Sequence, residues 1–259
     1  MDLELRGRRV LVTGGSKGIG FACAKGFLAE GASVAIVSRS DANLAAARER
    51  LGAAVCTCRA DLIDPAAALA AVDRAEREIG PIDILVNSAG AAKRTAVDEL
   101  TPDAWREAMD AKYFTYVNVI DPLVKRMAAR GSGVIVNIIG SGGKVASPSH
   151  LAGGAANAAL MLATVGLANA YARKGVRVLA INPGLTETTR VAEGLKAVAR
   201  QDGITETEAL EQSVARIAMG RMAQPDEIAS VAVFAASARA GYLTGVIITM
   251  DGASAPIVV

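Results

Sequence analysis

The chain has 259 residues, of which 52% are hydrophobic, and a formal net charge of +2 at neutral pH. This length and apolar content allow a large buried core. Because the charge is nearly balanced and Lys and Arg are scattered, a nucleic-acid groove or a membrane-binding basic patch is excluded as the expected function class.

The termini and the cysteines indicate a cytoplasmic protein. The N-terminus runs straight into a predicted strand without a signal-peptide pattern, and we find no apolar run that approaches the ~18 residues of a membrane span. Cys23, Cys56 and Cys58 are too few and too poorly spaced for a disulfide framework or a zinc site. We therefore expect free buried thiols, no metal and no membrane partner.

Short segments rich in Val and Ile alternate along the chain with longer amphipathic segments rich in Ala. Uninterrupted apolar runs of this kind are typical of strands buried on both faces. The predicted strands are, in chain order, RRVLVTG, ASVAIVS, AVCTCRAD, IDILVNSAG, SGVIVNIIG, VRVLAINPG and GVIITMDG. The alternation predicts an α/β fold with a doubly wound parallel sheet and helices on both faces.

The segments between the strands predict helices and one lid. Glycines at 31, 80, 131 and 175 follow four of these segments, where a left-handed C-cap is expected. No linker or repeat interrupts the pattern, so we expect one domain over residues 1–259. The long excursion from Leu185 to about Ala223 predicts a helical lid.

The segment TGGSKGIG, residues 13–20, follows the first predicted strand and opens a helix. Gly14 permits a tight turn, while Gly18 and Gly20 allow the backbone and the helix to approach a diphosphate at the helix N-terminus. This placement predicts a nucleotide-binding loop.

Taken whole, the sequence resembles the short-chain dehydrogenase/reductase family over essentially its entire length. The family's glycine motif corresponds to TGGSKGIG, its adenine-contacting acid to Asp61 followed by Leu62, and its NNAG motif to NSAG at residues 87–90. Its proline-glycine pair corresponds to Pro183-Gly184, followed by Thr186. The resemblance implies a Rossmann-type fold, a dinucleotide cofactor and a small carbonyl or alcohol substrate.

The end of the second strand predicts which cofactor is used. Members of the family that prefer NAD place an acid there, whereas this chain has Ser38 and Arg39. No carboxylate repels a 2′-phosphate, Arg39 can bind it, and Lys17 adds a second cation, so we predict NADP(H). The predicted cofactor-binding residues are Gly14, Ser16, Lys17, Gly18, Ile19, Gly20, Ser38, Arg39, Asp61, Leu62, Asn87, Ala89, Gly90, Asn157, Pro183, Gly184 and Thr186.

The catalytic pattern of the family is only partly present. The resemblance implies a carbonyl-polarising Ser, which corresponds to Ser141, and then a Tyr and a Lys four residues apart. Gly153 and Asn157 stand at those two positions, and Lys112 stands where the family has a relay Asn. The cation and the amide have thus exchanged places between two helices.

Two readings of this exchange remain open. In one, the chain is an NADP(H)-dependent oxidoreductase of carbonyls or secondary alcohols whose proton comes through Lys112, His150 or a water held by Ser141 and Asn157. His150, the only histidine, lies three residues before Gly153 and has an unperturbed pKa suited to acid–base work. In the other, the chain is a catalytically silent NADP(H)-binding subunit.

Assembly is the last expectation. The resemblance implies a homotetramer, with a homodimer as the smaller possibility. The segment AALMLATVGLA at residues 158–168 is apolar on more faces than packing on one sheet requires, and the tail APIVV is also apolar. Such surfaces predict contact with further copies of the chain.

Overall fold

The computed structural model describes residues 1–90 and 92–257, except for the side chains at 197 and 201. Seven parallel strands form one sheet in the order β3-β2-β1-β4-β5-β6-β7. The strands are β1 (Arg9–Thr13), β2 (Ser33–Ser38), β3 (Cys56–Arg59), β4 (Ile84–Asn87), β5 (Gly133–Ile138), β6 (Val176–Pro183) and β7 (Ile247–Met250). Each of the seven predicted strands is confirmed.

Nine α-helices are assigned within the described residues. They are α1 (Gly18–Ala29), α2 (Asp41–Leu51), α3 (Pro65–Ile79), α4 (Pro102–Ala108), α5 (Thr115–Arg130), α6 (Leu151–Tyr171), α7 (Thr189–Asp202), α8 (Glu206–Ala215) and α9 (Pro225–Ala236). Helices α1, α2 and α9 contribute to the core on one face of the sheet, and α3, α5 and α6 to the core on the other.

The strand sequences explain why both faces are covered. Val10 and Val12 of β1 pack into one core, whereas Leu11 between them packs into the other, because successive strand residues face opposite sides. The doubly wound fold predicted from the alternation is therefore confirmed. Since β1 lies between β2 and β4, the strand order reverses beside β1, and ligands of such sheets bind at the carboxyl ends of the strands there.

A π-helical segment, Met109–Phe114, joins α4 to α5. Such segments are rare and occur frequently at functional sites, because an extra residue in a turn changes the direction of its side chain. Lys112 lies in this segment and is buried.

The glycines after the helices behave as predicted at Gly131 and Gly175, which adopt left-handed geometry with φ 72° and 73°. Gly80 also closes α3 at a positive φ of 90°, although its ψ of 176° lies outside the left-handed helical region.

Helix α6 and its flanking turns, Pro148–Lys174, form one helical stretch of 27 residues that is apolar and long enough to cross a membrane. The expectation that no apolar run reaches the length of a membrane span is therefore wrong, although only the length and composition of this stretch contradict it. The stretch packs against β6, and its residues Leu160 and Thr164 are almost fully buried, as in the core helix of a folded protein.

The segment predicted as a lid contains α7 and α8. The two ends of this segment are joined by backbone hydrogen bonds. The amide of Glu187 donates to the carbonyl of Ala223 at 2.8 Å, and the amide of Ala223 donates to the carbonyl of Leu185 at 3.0 Å. The excursion is thus a closed helical insertion over the carboxyl ends of β6 and β7.

Among the cysteines, Cys23 and Cys58 are buried free thiols as expected, whereas Cys56 is only half-buried.

Candidate active site and cofactor cleft

The loop after β1 packs closely on the loop after β4. Gly14 has φ 64°, and a Cβ there would lie 2.8 Å from the carbonyl oxygen of Ser88. Helix α1 then begins at Gly18, and its N-cap residue Lys17 makes no side-chain capping hydrogen bond. The first amides of α1 therefore remain available to an anion at the helix N-terminus, which is how a diphosphate is bound.

The side chain of Asn87 is paired with neighbouring side chains in the core. Its side chain is fully buried, donates to Oδ1 of Asn137 at 3.1 Å and accepts from Oγ1 of Thr13 at 3.2 Å. The Thr13 oxygen in turn accepts from the amides of Ser88 and Ala89. The side-chain polar atoms of Asn87 are thus paired in the core, while Thr13 holds the start of the loop 88–90, and a cofactor contact of Asn87 stays a prediction.

Three other predicted cofactor residues also make contacts within the fold. Leu62 is almost fully buried and packs with α3, so it supports the site from within the core. Asp61 is exposed and accepts from the amide of Ile63, which shapes the turn after β3. Thr186 is buried and donates to the carbonyl of Gly184 at 3.2 Å.

The carboxyl end of β2 is positively charged. Oγ of Ser16 donates to Oγ of Ser38 at 3.0 Å, which joins the glycine loop to β2. Lys17 and Arg39 are exposed on either side, and within the described residues neither forms a salt bridge. Arg59, which the sequence reasoning missed, pairs with Ser38 across the sheet and donates to the carbonyl of Arg39 at 3.3 Å.

Two adjoining cavities open at the carboxyl ends of the strands. The first, of about 350 Å³, is lined by residues of the glycine loop, the loop after β4 and the start of the helical insertion. Those among the predicted cofactor residues are Lys17, Gly18, Ile19, Gly90, Pro183, Gly184 and Thr186. Gly90 has φ 89°, and a Cβ there would lie 2.9 Å from Oγ1 of Thr115, so a larger residue cannot replace it.

The second cavity, of about 360 Å³, brings together the four predicted catalytic residues. They are Lys112, Ser141, His150 and Asn157. The sequence separates them by up to 45 positions, yet the ends of β5 and α6 and the π-helical segment place them around one space. Lys112 lines both cavities, as do Gly140 and Arg190.

Lys112 is held in the core by a tyrosine. Its Nζ donates to Oη of Tyr116 at 2.9 Å and to the carbonyl of Ile138 at 3.2 Å. Tyr116 also donates to that carbonyl and is fully buried. Burial, and then the charge of Arg190, lowers the pKa of Lys112 to about 7.

Tyr116 is a functional candidate that the sequence reasoning missed. It stands four residues after Lys112, so the spacing of the pair on one helix face was available in the sequence. Burial raises the pKa of Tyr116, and the residue lines neither cavity. It therefore positions Lys112 and does not itself exchange protons with a ligand.

His150 occupies the space beside Gly153. A Cβ on Gly153 would lie 2.5 Å from Nε2 of His150, and one on Gly142 would lie 3.2 Å from Cδ2. Burial, and then the charges of Arg94, Arg190 and Lys112, lower the pKa of the imidazole. Its Nδ1 is buried without a hydrogen-bond partner in the described part of the chain.

Asn157 is also buried and incompletely paired. Its Oδ1 has no hydrogen-bond partner among the described residues, although the side chain is 5% exposed. Its amide nitrogen would lie 3.3 Å from a Cβ on Gly140, and the side chain lines the second cavity. A buried polar atom without a partner is costly, and a bound ligand or water can supply the missing hydrogen bond.

Comparison with known proteins agrees with this architecture. The family model described as Enoyl-(Acyl carrier protein) reductase matches residues 14–253. The 3alpha-hydroxysteroid dehydrogenase of Mediterraneibacter gnavus is 31% identical over 259 residues, which cover 98% of this chain and 99% of that protein. The galactitol 2-dehydrogenase (L-tagatose-forming) of Cereibacter sphaeroides is 36% identical over 96% of this chain and 95% of that protein.

Solved structures give the same result. The crystal structure of L-sorbose reductase from Gluconobacter frateurii, complexed with NADPH and L-sorbose, matches with a TM-score of 0.92 and 30% identity, over 100% of both chains. The chain belongs to the short-chain dehydrogenase/reductase family. It is an oxidoreductase of that family's carbonyl–alcohol type.

Proposed function

We propose that this enzyme uses NADP(H) to interconvert a carbonyl compound and a secondary alcohol, with Lys112 as the group that gives or takes the proton. The observation that carries the proposal is the position of Lys112. It is buried at the junction of the two cavities, and its pKa is lowered to about 7. A general acid–base group works best when its pKa is near the working pH.

The residues of the first cavity fit a phosphorylated dinucleotide. The uncapped N-terminus of α1 suits the diphosphate, and Lys17 and Arg39 provide positive charge where a 2′-phosphate would lie. Arg59 lies beside them but forms a salt bridge with Asp41 at 3.4 Å. When bound, the cofactor supplies or accepts the hydride. The NADPH complex of the similar L-sorbose reductase supports the choice of NADP(H).

During reduction, the carbonyl oxygen gains a proton as the carbonyl carbon becomes that of an alcohol. The ammonium of Lys112 has three protons, and two are donated to Tyr116 and Ile138, so the third remains for the oxygen of a ligand. Ser141 lines the same cavity and can donate a hydrogen bond to that oxygen. In the reverse direction, neutral Lys112 accepts the proton.

His150 and Asn157 have supporting roles in this proposal. Because its pKa is lowered from the ordinary value, His150 is neutral at pH 7 and is a poor proton donor there. It fills the space beside Gly153 that a tyrosine would need and so excludes bulk water. Asn157 can bind the cofactor's ribose or an ordered water through its unpaired Oδ1.

In this proposal, the helical insertion acts as a lid over both cavities. Thr189, Arg190 and Val191 of the first turn of α7 line the first cavity, and Thr188 caps that helix by accepting from the amide of Val191 at 3.3 Å. Movement of α7 would therefore open both cavities together, as expected of a lid.

The test is consumption of NADPH with a panel of ketones and aldehydes, with cofactor binding measured separately by titration. We expect binding and turnover of at least one carbonyl class. Tight binding without turnover of any of them would instead identify a silent cofactor-binding subunit.

A further inference from the structure

The second cavity has an unusual charge distribution. Its lining includes Arg94, Lys112, His150 and Arg190, and no aspartate or glutamate is among the described residues that line it. The carboxylate of Asp251, next to Gly184, accepts from the amides of Ala253 and Ala255 instead. The cavity therefore carries positive charge without a compensating acid.

The two arginines have unused donors. Arg94 donates to Oγ of Ser149 at 3.2 Å, and Arg190 donates to the carbonyl of Gly90 at 3.1 Å. Both acceptors are neutral, and within residues 1–90 and 92–257 neither guanidinium forms a salt bridge. Since a guanidinium has five N–H donors, each arginine keeps several for a ligand.

The positively charged side chains of the second cavity are close enough to repel one another. Burial lowers the pKa of His150 most, and the charges of Arg94, Arg190 and Lys112 lower it further. Such repulsion destabilises the charged forms unless an anion enters the cavity. An anionic group on the ligand would relieve it, and a planar carboxylate matches the guanidinium donors.

We propose that the substrate is a small oxo acid or hydroxy acid, whose carboxylate is bound by Arg94 and Arg190 while its carbonyl or hydroxyl lies at Lys112. This inference rests on the proposed function, because it assigns the substrate class of the same site. The volume of about 360 Å³ and a lining without Phe, Tyr or Trp among its described residues favour a short aliphatic acid over a large planar one.

The first experiment measures binding without chemistry. Isobutyrate and isobutyramide have nearly the same shape, differ in charge and cannot be reduced or oxidised at a carbonyl by this route. Calorimetry on the enzyme saturated with NADP⁺ should give a dissociation constant at least about tenfold lower for isobutyrate. Equal affinities for the two compounds would overturn the proposal.

Two variants test whether Arg94 binds the carboxylate. Arg94 lines only the second cavity, so Arg94→Gln should remove most of the preference for isobutyrate and leave NADPH binding unchanged. Lys93→Gln is the matched control, because Lys93 is an adjacent exposed cation that does not line the cavity. If Lys93→Gln weakens isobutyrate as much as Arg94→Gln does, general charge attraction explains the preference and the proposed site is wrong.

The second experiment uses turnover. Reduction of 2-oxobutanoate should have a KM at least about tenfold lower than that of its methyl ester, and Arg94→Gln should raise the KM of the acid with little change in kcat. If the ester is reduced as well as the acid, the substrate class is wrong while the oxidoreductase function stands. If isobutyrate binds selectively but no carbonyl compound is reduced, the anion site stands and the proposed function fails.

Discussion

The imidazole of His150 and the Cα of Gly153 lie against each other, three residues apart at the start of α6. A Cβ on Gly153 would lie 2.5 Å from Nε2 of His150. The histidine and the glycine are therefore a matched pair, and a side chain at 153 requires displacement of the ring. The structure thus explains why a tyrosine at that position is incompatible with His150 as placed.

This relationship makes a stability prediction. Gly153→Ala should be less stable than alanine at a free position of the same helix, because the new methyl group must displace the half-buried ring of His150, and that displacement has a cost. Gly166 lies on the same helix with no atom within 4 Å of the position of a Cβ. The control Gly166→Ala should stabilise by about 0.4–1 kcal/mol, since alanine lowers the entropy of the unfolded chain.

Chemical denaturation of the two variants measures both effects. In the background of His150→Ala, the cost of Gly153→Ala should largely disappear, because the ring is no longer there. Equal effects of alanine at 153 and 166 would show that the ring and the glycine do not interact.

The cofactor assignment predicts a preference that depends on Arg39. NADPH should bind about ten- to a hundredfold more tightly than NADH, because a charge-assisted hydrogen bond to the 2′-phosphate contributes roughly 1.5–3 kcal/mol. Arg39→Ala should remove most of this preference. Arg77, exposed in the last turn of α3, serves as a control, and Arg77→Ala should keep the preference. Equal affinity of the wild type for the two cofactors contradicts the assignment.

The exposed apolar surface predicts assembly. Leu162 is 76% exposed and Val165 is 43% exposed on α6, which confirms that this helix has an apolar face that the sheet does not cover. We expect a homotetramer that Leu162→Glu reduces to a smaller species in light scattering. The predicted contribution of the apolar tail stays a prediction, because Val258 and Val259 lie outside the described residues. A wild type that is monomeric at micromolar concentration would exclude the expected assembly.

The fold was predictable because its signals are local. The seven apolar strands and the glycine loop each occupy a short continuous segment, and periodicity and glycine position suffice to identify them.

Most residues of the site could be named from the sequence, but their contacts with one another could not. Lys112 and His150 could be named from the sequence, yet the burial that lowers their pKa values depends on β5 and α6 packing together. Arg94 and Arg190 were missed as a pair because 96 positions separate them, and only the fold brings both to one cavity. The pairing of Asn87 with Asn137 was likewise not predictable, because the two residues are 50 positions apart.

Tyr116 offers a test of how Lys112 is tuned. Tyr116→Phe removes the oxygen that accepts from Nζ of Lys112, so the ammonium form loses stabilisation and its pKa falls further. The pH at which reduction slows should move lower, while activity is retained in part. Tyr113→Phe is the matched control, since Tyr113 packs edge-on against Phe114 and lines neither cavity. An unchanged pH profile in Tyr116→Phe would contradict the positioning role.

The proton on Lys112 also couples stability to pH. The folded pKa of Lys112 is about 7, below the ordinary value of 10.5, so the folded chain binds fewer protons than the unfolded chain between these pH values. The penalty of burying the ammonium is therefore present in full at low pH and diminishes as the pH rises from about 7 to 10.5. Lys112→Met should be more stable than the wild type at pH 6, and this advantage should shrink by pH 9 in denaturant titrations.

The most direct test of the account is the pH dependence of kcat for NADPH-linked reduction in the wild type, Lys112→Met and His150→Gln. Reduction needs the ammonium form, so the wild-type rate should fall as the pH rises above about 7, because burial and then the charge of Arg190 lower the pKa of Lys112 to that value. Lys112→Met should lose about 10²–10⁴-fold of the rate together with this pH dependence, whereas His150→Gln should keep it. The account is contradicted if Lys112→Met retains the wild-type rate and its decline above pH 7, or if His150→Gln abolishes that decline.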